Sequence, residues 1–299
     1  MTSWRPADLP DLTGKTALVT GANSGIGLHA VLGLAEHGAH VLLAARNPER
    51  GEKAIAAVRK QLPDAKVELV QLDLADLTNV RETAKAVLAE HEHLDLLINN
   101  AGEKMVSERR TTRDGFEAQF GTNHLGHFAL TGLLLPALRP GARVVNITSL
   151  AHKFAPFDFA DPQHERRYSA GKSYGNSKLA NMIFTLELDR RLAGTGITSM
   201  AAHPGFALEP GDSIGNPVLD VLTKPLIQDM AGGAMPTLYA ATVPDLPGGS
   251  LIGPGKPLRT KGFPRPEKPS RKATDPRVGR RLWELSEELT DVRYLSSTS

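Results

Sequence analysis

Thr16-Ala17-Leu18-Val19-Thr20-Gly21-Ala22-Asn23-Ser24-Gly25-Ile26-Gly27 is the stretch on which the interpretation of this chain turns. A five-residue run of strand character enters a Gly-x-x-x-Gly-x-Gly turn, and Ile26–His37 follows at helical period until Gly38 stops it. Strand, glycine turn and helix in that order form the context a dinucleotide site requires. Gly21 lets the chain leave the strand sharply, Gly25 permits close approach to a pyrophosphate, and Gly27 lets the helix pack on the strand. The helix start, with Asn23, Ser24 and Ile26 in the same turn, offers unpaired N–H groups and a partial positive charge to phosphates. Alone, the string also fits a tight glycine turn that holds no ligand.

The alternation continues outward from that unit. Strand-length apolar runs at His40–Ala44, Val67–Leu72, Leu94–Ile98, Arg143–Thr148 and Gly196–Ala202 are separated by helix-length stretches. Those helices are expected at Pro48–Leu62, Leu77–Ala89, Thr112–Leu138, Ser173–Leu192, Ala231–Ala241 and Arg280–Leu289. Apolar strands alternating with helices predict an α/β fold with a doubly wound parallel sheet covered on both faces. Phe206–Met230 mixes Gly, Pro and Asp with short apolar pieces and reads as an inserted substrate loop or lid. Pro244–Pro276 carries eight prolines and is expected to be irregular, extended chain. No internal repeat or linker divides the 299 residues, so one domain is expected, with a Pro-rich basic extension from about residue 253.

Composition excludes several functions. Hydrophobic residues make up 40% and charged residues 23%, which describes a globular chain. A net charge of +2 gives no global nucleic-acid or membrane signal. The absence of cysteine excludes disulfides, thiolate metal sites and a cysteine nucleophile. There is no signal-peptide pattern and no apolar run long enough for a membrane span, so a cytoplasmic location is expected. His91 and His93, like His124 and His127, are pairs, whereas a metal needs three or four convergent ligands, so no metal is expected. Lys256–Arg281 holds ten basic residues against two acidic ones, with Phe263 its single aromatic, and reads as a solvated segment.

Two further segments carry chemistry. After the second strand come Ala45-Arg46-Asn47, where an acidic residue would grip an adenosine ribose hydroxyl. No carboxylate is present and Arg46 can pair with a 2′-phosphate, which favours NADP(H) over NAD(H). Asp73, past the third strand, can accept from an adenine amino group or cap the next segment. In Tyr174-Gly175-Asn176-Ser177-Lys178 a phenol and an ammonium stand at i and i+4 on one helix face. Hydride transfer to a carbonyl carbon needs a proton at its oxygen, and a tyrosine near its reference pKa of ~10 needs a cation beside it. Ser149, just past the fifth strand, can hydrogen-bond that oxygen or serve as a turn residue.

With Asn99-Asn100-Ala101-Gly102 after the fourth strand and Pro204-Gly205 after the sixth, the chain resembles the short-chain dehydrogenase/reductase family over Leu12 to Ile252. The resemblance implies a Rossmann-like seven-stranded sheet. Tyr174 would be the general acid–base, Lys178 would lower its pKa and hold the nicotinamide ribose, and Ser149 would orient the substrate carbonyl. Asn123, in Thr122-Asn123-His124-Leu125-Gly126, matches the family's helix asparagine that holds a water of the proton relay. Asn47, Leu74, Asn100, Ala101, Gly102, Ile147, Pro204 and Gly205 would complete the cofactor's surroundings. The Ala22-Asn23-Ser24 turn, Ala45-Arg46, Ser177–Asn181 and the tail Arg281-Leu282-Trp283-Glu284 look most like the retinol-dehydrogenase-like and protochlorophyllide-reductase-like branch. Lipophilic carbonyls or alcohols are that branch's substrates. Many members form dimers or tetramers through the helices carrying the Asn and Tyr-Lys motifs. Leu125–Leu135 and Leu179–Leu188 are apolar enough for such an interface or for core, and a homo-oligomer is expected. Glu103, Lys104, Glu209, Pro210 and Gly211 depart from the family pattern. Those departures keep open a second interpretation, a dinucleotide-binding sensor or scaffold without turnover.

Overall fold

The computed structural model describes residues 4–104, 106–154, 157–208 and 224–295. The opening stretch folds as β1 (Thr16–Thr20), the glycine turn and α1 (Gly25–Glu36). The repeat continues through β2 (His40–Ala45), α2 (Pro48–Gln61), β3 (Val67–Gln71), α3 (Leu77–Glu90) and β4 (Leu94–Asn99). Asn47 and Asp76 cap α2 and α3 by accepting first-turn N–H groups, which places both helix starts.

The helix expected over Thr112–Leu138 is broken into pieces. α4 (Ala118–Phe120) runs through a π turn, Gly121–Leu125, into α5 (Gly126–Leu134), and a 3-10 turn at Leu135–Ala137 ends it. The π turn widens the helix at Asn123, a device common at functional sites. β5 (Leu138–Ile147), α6 (Ala170–Arg191), β6 (Thr198–Ala202), α7 (Met230–Thr242), β7 (Leu251–Pro254), β8 (Pro264–Glu267) and α8 (Pro276–Thr290) complete the described elements.

The described strands form one sheet in the order β3-β2-β1-β4-β5-β6-β7-β8. Seven strands are parallel, as expected, but an eighth, β8, joins antiparallel to β7. It comes from the proline-rich tail, where irregular chain was expected. Gly255 N–H donates to Phe263 O, so the hydrogen-bonded pairs fall at Gly253/Arg265 and Leu251/Glu267. Pro264 and Pro266 occupy the alternate positions on an edge strand, where a missing N–H breaks no ladder bond. Most of the Phe206–Met230 loop, including Glu209, Pro210 and Gly211, lies outside the described residues.

One face of the sheet packs against α1, α2 and α7 through Val31, Leu34, Val58 and Leu238, and the other against α3, α5 and α6. α8 lies over α5 and α6. Trp283 packs edge-on to Phe128 at 5.1 Å, Arg191 stacks over Trp283 at 4.2 Å, and Tyr294 packs on Phe128 at 4.9 Å. Leu125, Leu130, Leu134, Leu179 and Leu188 are buried within the chain. These leucines serve the chain's own core, while Leu133, Leu135 and Leu186 of the same segments are only partly buried.

Candidate active site

The glycine turn fits a dinucleotide. Gly21 has φ +63°, and a Cβ there would stand 2.7 Å from Ala101 Cα. At Gly27 a Cβ would stand 2.5 Å from Asn100 Nδ2. Ser24 occupies the N-cap of α1 but its side chain caps nothing, so the first-turn amides are left for an outside acceptor. A cavity of about 370 Å³ opens there, lined by Asn23, Ser24 and Gly25 with Leu28, His29, Asp229, Met230 and Ala231. The last three start α7, two hundred residues away in sequence, and Asp229 and Met230 close the segment expected to be the substrate loop.

β4 ties this turn to the catalytic side. Thr20 Oγ1 accepts from Asn100 N and Ala101 N, both at 2.9 Å, and Asn100 Nδ2 donates to Thr20 O at 2.8 Å. Thr20 Oγ1 lies 2.8 Å from His127 Nε2, and His127 Nδ1 lies 2.9 Å from Asn123 O. A carbonyl only accepts, so Nδ1 carries the proton and Nε2 accepts from Thr20. Burial pulls His127 down to about 4, which keeps the ring neutral. A buried chain thus runs from the glycine turn to Asn123.

Asn123 is fully buried. Its Oδ1 accepts from Glu103 N at 2.7 Å, and its Nδ2 donates to Glu103 O at 3.1 Å and to Ser177 Oγ at 2.9 Å. The departure at Glu103 is thereby explained. Asn123 binds the backbone of residue 103 and is indifferent to its side chain, which turns to Arg110 at 3.2 Å.

The long helix α6 brings Tyr174 and Lys178 against the end of β5. Thr148 Oγ1 donates to Lys178 O at 2.7 Å, and Lys178 Nζ donates to Ile147 O at 3.2 Å. Asn181 Nδ2 shares that carbonyl at 3.0 Å. Lys178 is 4% exposed, and burial alone brings its ammonium down to about 8. Nζ lies 5.8 Å from the Tyr174 ring centroid. Burial raises the Tyr174 phenol above its ordinary value, and the neighbouring Ser149 hydroxyl works in the opposite direction. Ser149 also caps the 3-10 turn Leu150–Lys153, where its Oγ accepts from Ala151 N at 3.3 Å, the turn use expected of it.

The sequence pattern of the short chain dehydrogenase family matches residues 15–210. The chain belongs to the short chain dehydrogenase family. Mouse retinol dehydrogenase 12 is 40% identical over 289 residues, covering 95% of this chain and 88% of that protein. Human retinol dehydrogenase 13 is 40% identical over 295 residues, covering 94% and 86%. A crystal structure from Mycobacterium paratuberculosis superposes with TM-score 0.83 at 42% identity, over 98% of this chain and 99% of the other. A short chain dehydrogenase from Burkholderia cenocepacia in complex with NADP superposes with TM-score 0.64 at 25% identity, over 78% and 92%. Membership makes this chain an oxidoreductase that interconverts carbonyl and alcohol groups, with a nicotinamide dinucleotide as the family's cofactor.

The remaining expected residues of this dehydrogenase divide by environment. Arg46 is exposed just past β2, while Asn47 spends its Oδ1 on the cap to Arg50 N. Asp73 Oδ1 accepts from Ala75 N at 3.0 Å, the capping use. Leu74 is buried against Gly126 of α5. Pro204 O accepts from Gln228 Nε2 at 2.7 Å, and Gly205 has φ +70°. His124 and His127 face different partners, Ser286 and Thr20. No described helix is long and apolar enough to cross a membrane.

Proposed function

We propose that this dehydrogenase reduces a lipophilic carbonyl with NADPH, using Tyr174 as the proton donor. The observation that carries the proposal is the meeting of Ser149, from the end of β5, with Tyr174 and Lys178, one turn apart on α6. When bound, the nicotinamide supplies the hydride. Ser149 holds the carbonyl oxygen, and the Tyr174 phenol gives that oxygen its proton as the carbon is reduced. A phenol kept protonated by burial suits the donor role at neutral pH. Lys178, held by Ile147 O and Thr148, supplies the positive charge against which the phenolate forms and is later reprotonated. Asn123 fixes α6 through Ser177, whose Oγ also donates to Tyr174 O at 2.8 Å.

Arg46 and the absence of a carboxylate after β2 support NADP(H) over NAD(H). The retinol dehydrogenase relatives support a lipophilic substrate. The sensor alternative draws on Glu103 and Glu209; the Glu103 side chain lies outside the Asn123 contact, and Glu209 lies outside the described residues. Tyr174→Phe keeps the ring and removes the proton, and turnover of an aldehyde or ketone should fall at least ~10²-fold. Near-full activity in that variant would remove Tyr174 from the mechanism. NADPH binding with no turnover of any lipophilic aldehyde, ketone or secondary alcohol by the wild-type chain would establish the sensor instead.

A further inference from the structure

A second cavity, of about 560 Å³, is walled by Lys153, Arg259, Pro266, Glu267 and Lys268. Glu267 sits at its base with a side chain only 3% exposed. Its Oε1 faces His203 Nε2 at 3.0 Å and Arg259 Nη1 at 3.7 Å, and its Oε2 accepts from Lys153 Nζ at 3.2 Å. Gly205 N–H donates to His203 Nδ1, so the His203 proton stands on Nε2 and the neutral ring donates to Glu267. His203 therefore satisfies the carboxylate without cancelling its charge. The described lining holds three cations against one carboxylate, an excess of two positive charges. At 3.7 Å the Arg259 guanidinium is beyond hydrogen-bond reach of Glu267, and the Lys153 ammonium has given it one of three donors. Both side chains are about a third or more exposed, 33% for Lys153 and 42% for Arg259, so donors remain for a ligand.

Short links join the cavity's lining to the candidate active site. Lys153 ends the turn that Ser149 caps, and His152 Nδ1 donates to Ser149 O at 2.6 Å. Thr260 O, next to Arg259, accepts from Phe206 N, just past Pro204-Gly205. The hairpin tip is strained: Leu258 and Arg259, neither a glycine, have φ of 68° and 58°. That conformation holds Arg259 near Glu267 and leaves Leu258 71% exposed, while Phe154, beside Lys153, is 81% exposed. Lys153 and Arg259 thus each have a large solvent-facing apolar neighbour, the pairing an amphipathic ligand requires.

We infer that this cavity receives the anionic end of the substrate, so that the carbonyl compound reduced at Tyr174 is a lipophilic chain ending in a carboxylate or phosphate. The inference rests on the reductase function proposed above. It is tested with matched medium-chain aldehydes that end in a carboxylate, a phosphate monoester or a neutral methyl ester. The wild-type enzyme should favour an anionic aldehyde over the ester at least about ten-fold in kcat/KM through a lower KM, the effect of one hydrogen bond to a charged group. Which anion shows the larger preference identifies the oxyanion. In Arg259→Gln and Lys268→Gln the anion-to-ester ratio should fall toward one. Because it is a ratio, a general loss of stability cancels. Equal use of the anionic and neutral aldehydes by the wild type, or a preference that survives both substitutions, overturns the inference.

Binding of a saturated dicarboxylate, followed by NMR shifts, provides a readout independent of turnover. Shifts at Lys153 and Arg259 that vanish in Arg259→Gln support the cavity even where no aldehyde is reduced, a result that would refute only the reductase proposal. The absence of such shifts refutes the cavity alone. Binding of inorganic phosphate together with no kinetic preference among the aldehydes would mark a free-anion site and overturn the link to substrate.

Discussion

Lys178→Met should make the protein more stable while disabling it. The Lys178 ammonium is buried, and desolvation brings it from an ordinary 10.5 to about 8. At about 1.4 kcal/mol per ten-fold change in proton affinity, keeping that charge in the folded chain costs about 3 kcal/mol near neutral pH. Methionine has nearly the same length and carries no charge to desolvate. The one hydrogen bond lost is to Ile147 O, which keeps Asn181 Nδ2 at 3.0 Å and is not orphaned. A net gain of about 1–3 kcal/mol follows, or about 2–6 °C in Tm for a chain of this size.

The sign follows from proton counting. The folded pKa lies below the unfolded one, so between about 8 and 10.5 the unfolded chain binds more protons and stability rises with pH. Below about 8 both states are protonated and the cost is fully present, and above 10.5 it has gone. Thermal melts of the cofactor-free wild type and Lys178→Met at pH 7 should therefore differ by the full amount, and at pH 10 by much less. A variant that melts at or below the wild type at pH 7, or a difference that is the same at both pH values, would refute the argument. Turnover should fall at least ~10²-fold in the same variant, as for loss of a general acid–base partner.

Arg46→Ala should weaken NADPH binding more than NADH binding, and Ala45→Asp should reverse the preference by setting a carboxylate against the 2′-phosphate. Fluorescence titration of both cofactors checks this, and tighter NADH binding by the wild type would overturn the assignment. His124 and His127, brought by burial to about 3 and about 4, stay neutral in the folded chain while the unfolded chain protonates them from about 6.5 downward. Stability should fall as pH drops through that window, and His127→Gln should flatten the acid limb of a urea-melt series. Trp283→Ala removes a side chain packed against Phe128, Phe184 and Tyr294 and should cost about 3–5 kcal/mol by chemical denaturation. Light scattering of the intact chain should give a homo-oligomer, and a monomer mass would remove that expectation.

What could be read from the sequence was local. The glycine turn, the strand–helix alternation and the one-turn spacing of Tyr174 and Lys178 are patterns over a few residues, set by backbone period and by which side chains a turn admits. They pointed to the sheet, the glycine turn and the reaction type. The tertiary structure decided whatever depends on partners distant in sequence. It brought Ser149 to Tyr174 and buried Lys178 against Ile147 O. It linked Thr20 to Asn123 through His127, and it turned the doubtful Glu103 into a backbone partner. The tail shows the limit most plainly. Its prolines argued against a strand, yet an edge strand needs N–H groups only at alternate residues, and Pro264 and Pro266 fall between them. Once β8 pairs with β7, Glu267 reaches His203 beside Pro204-Gly205, a contact across 64 residues that no local spacing encodes. Local period specifies which element a segment forms, whereas desolvation and long-range pairing, which set the charges of the site, exist only once those elements are packed.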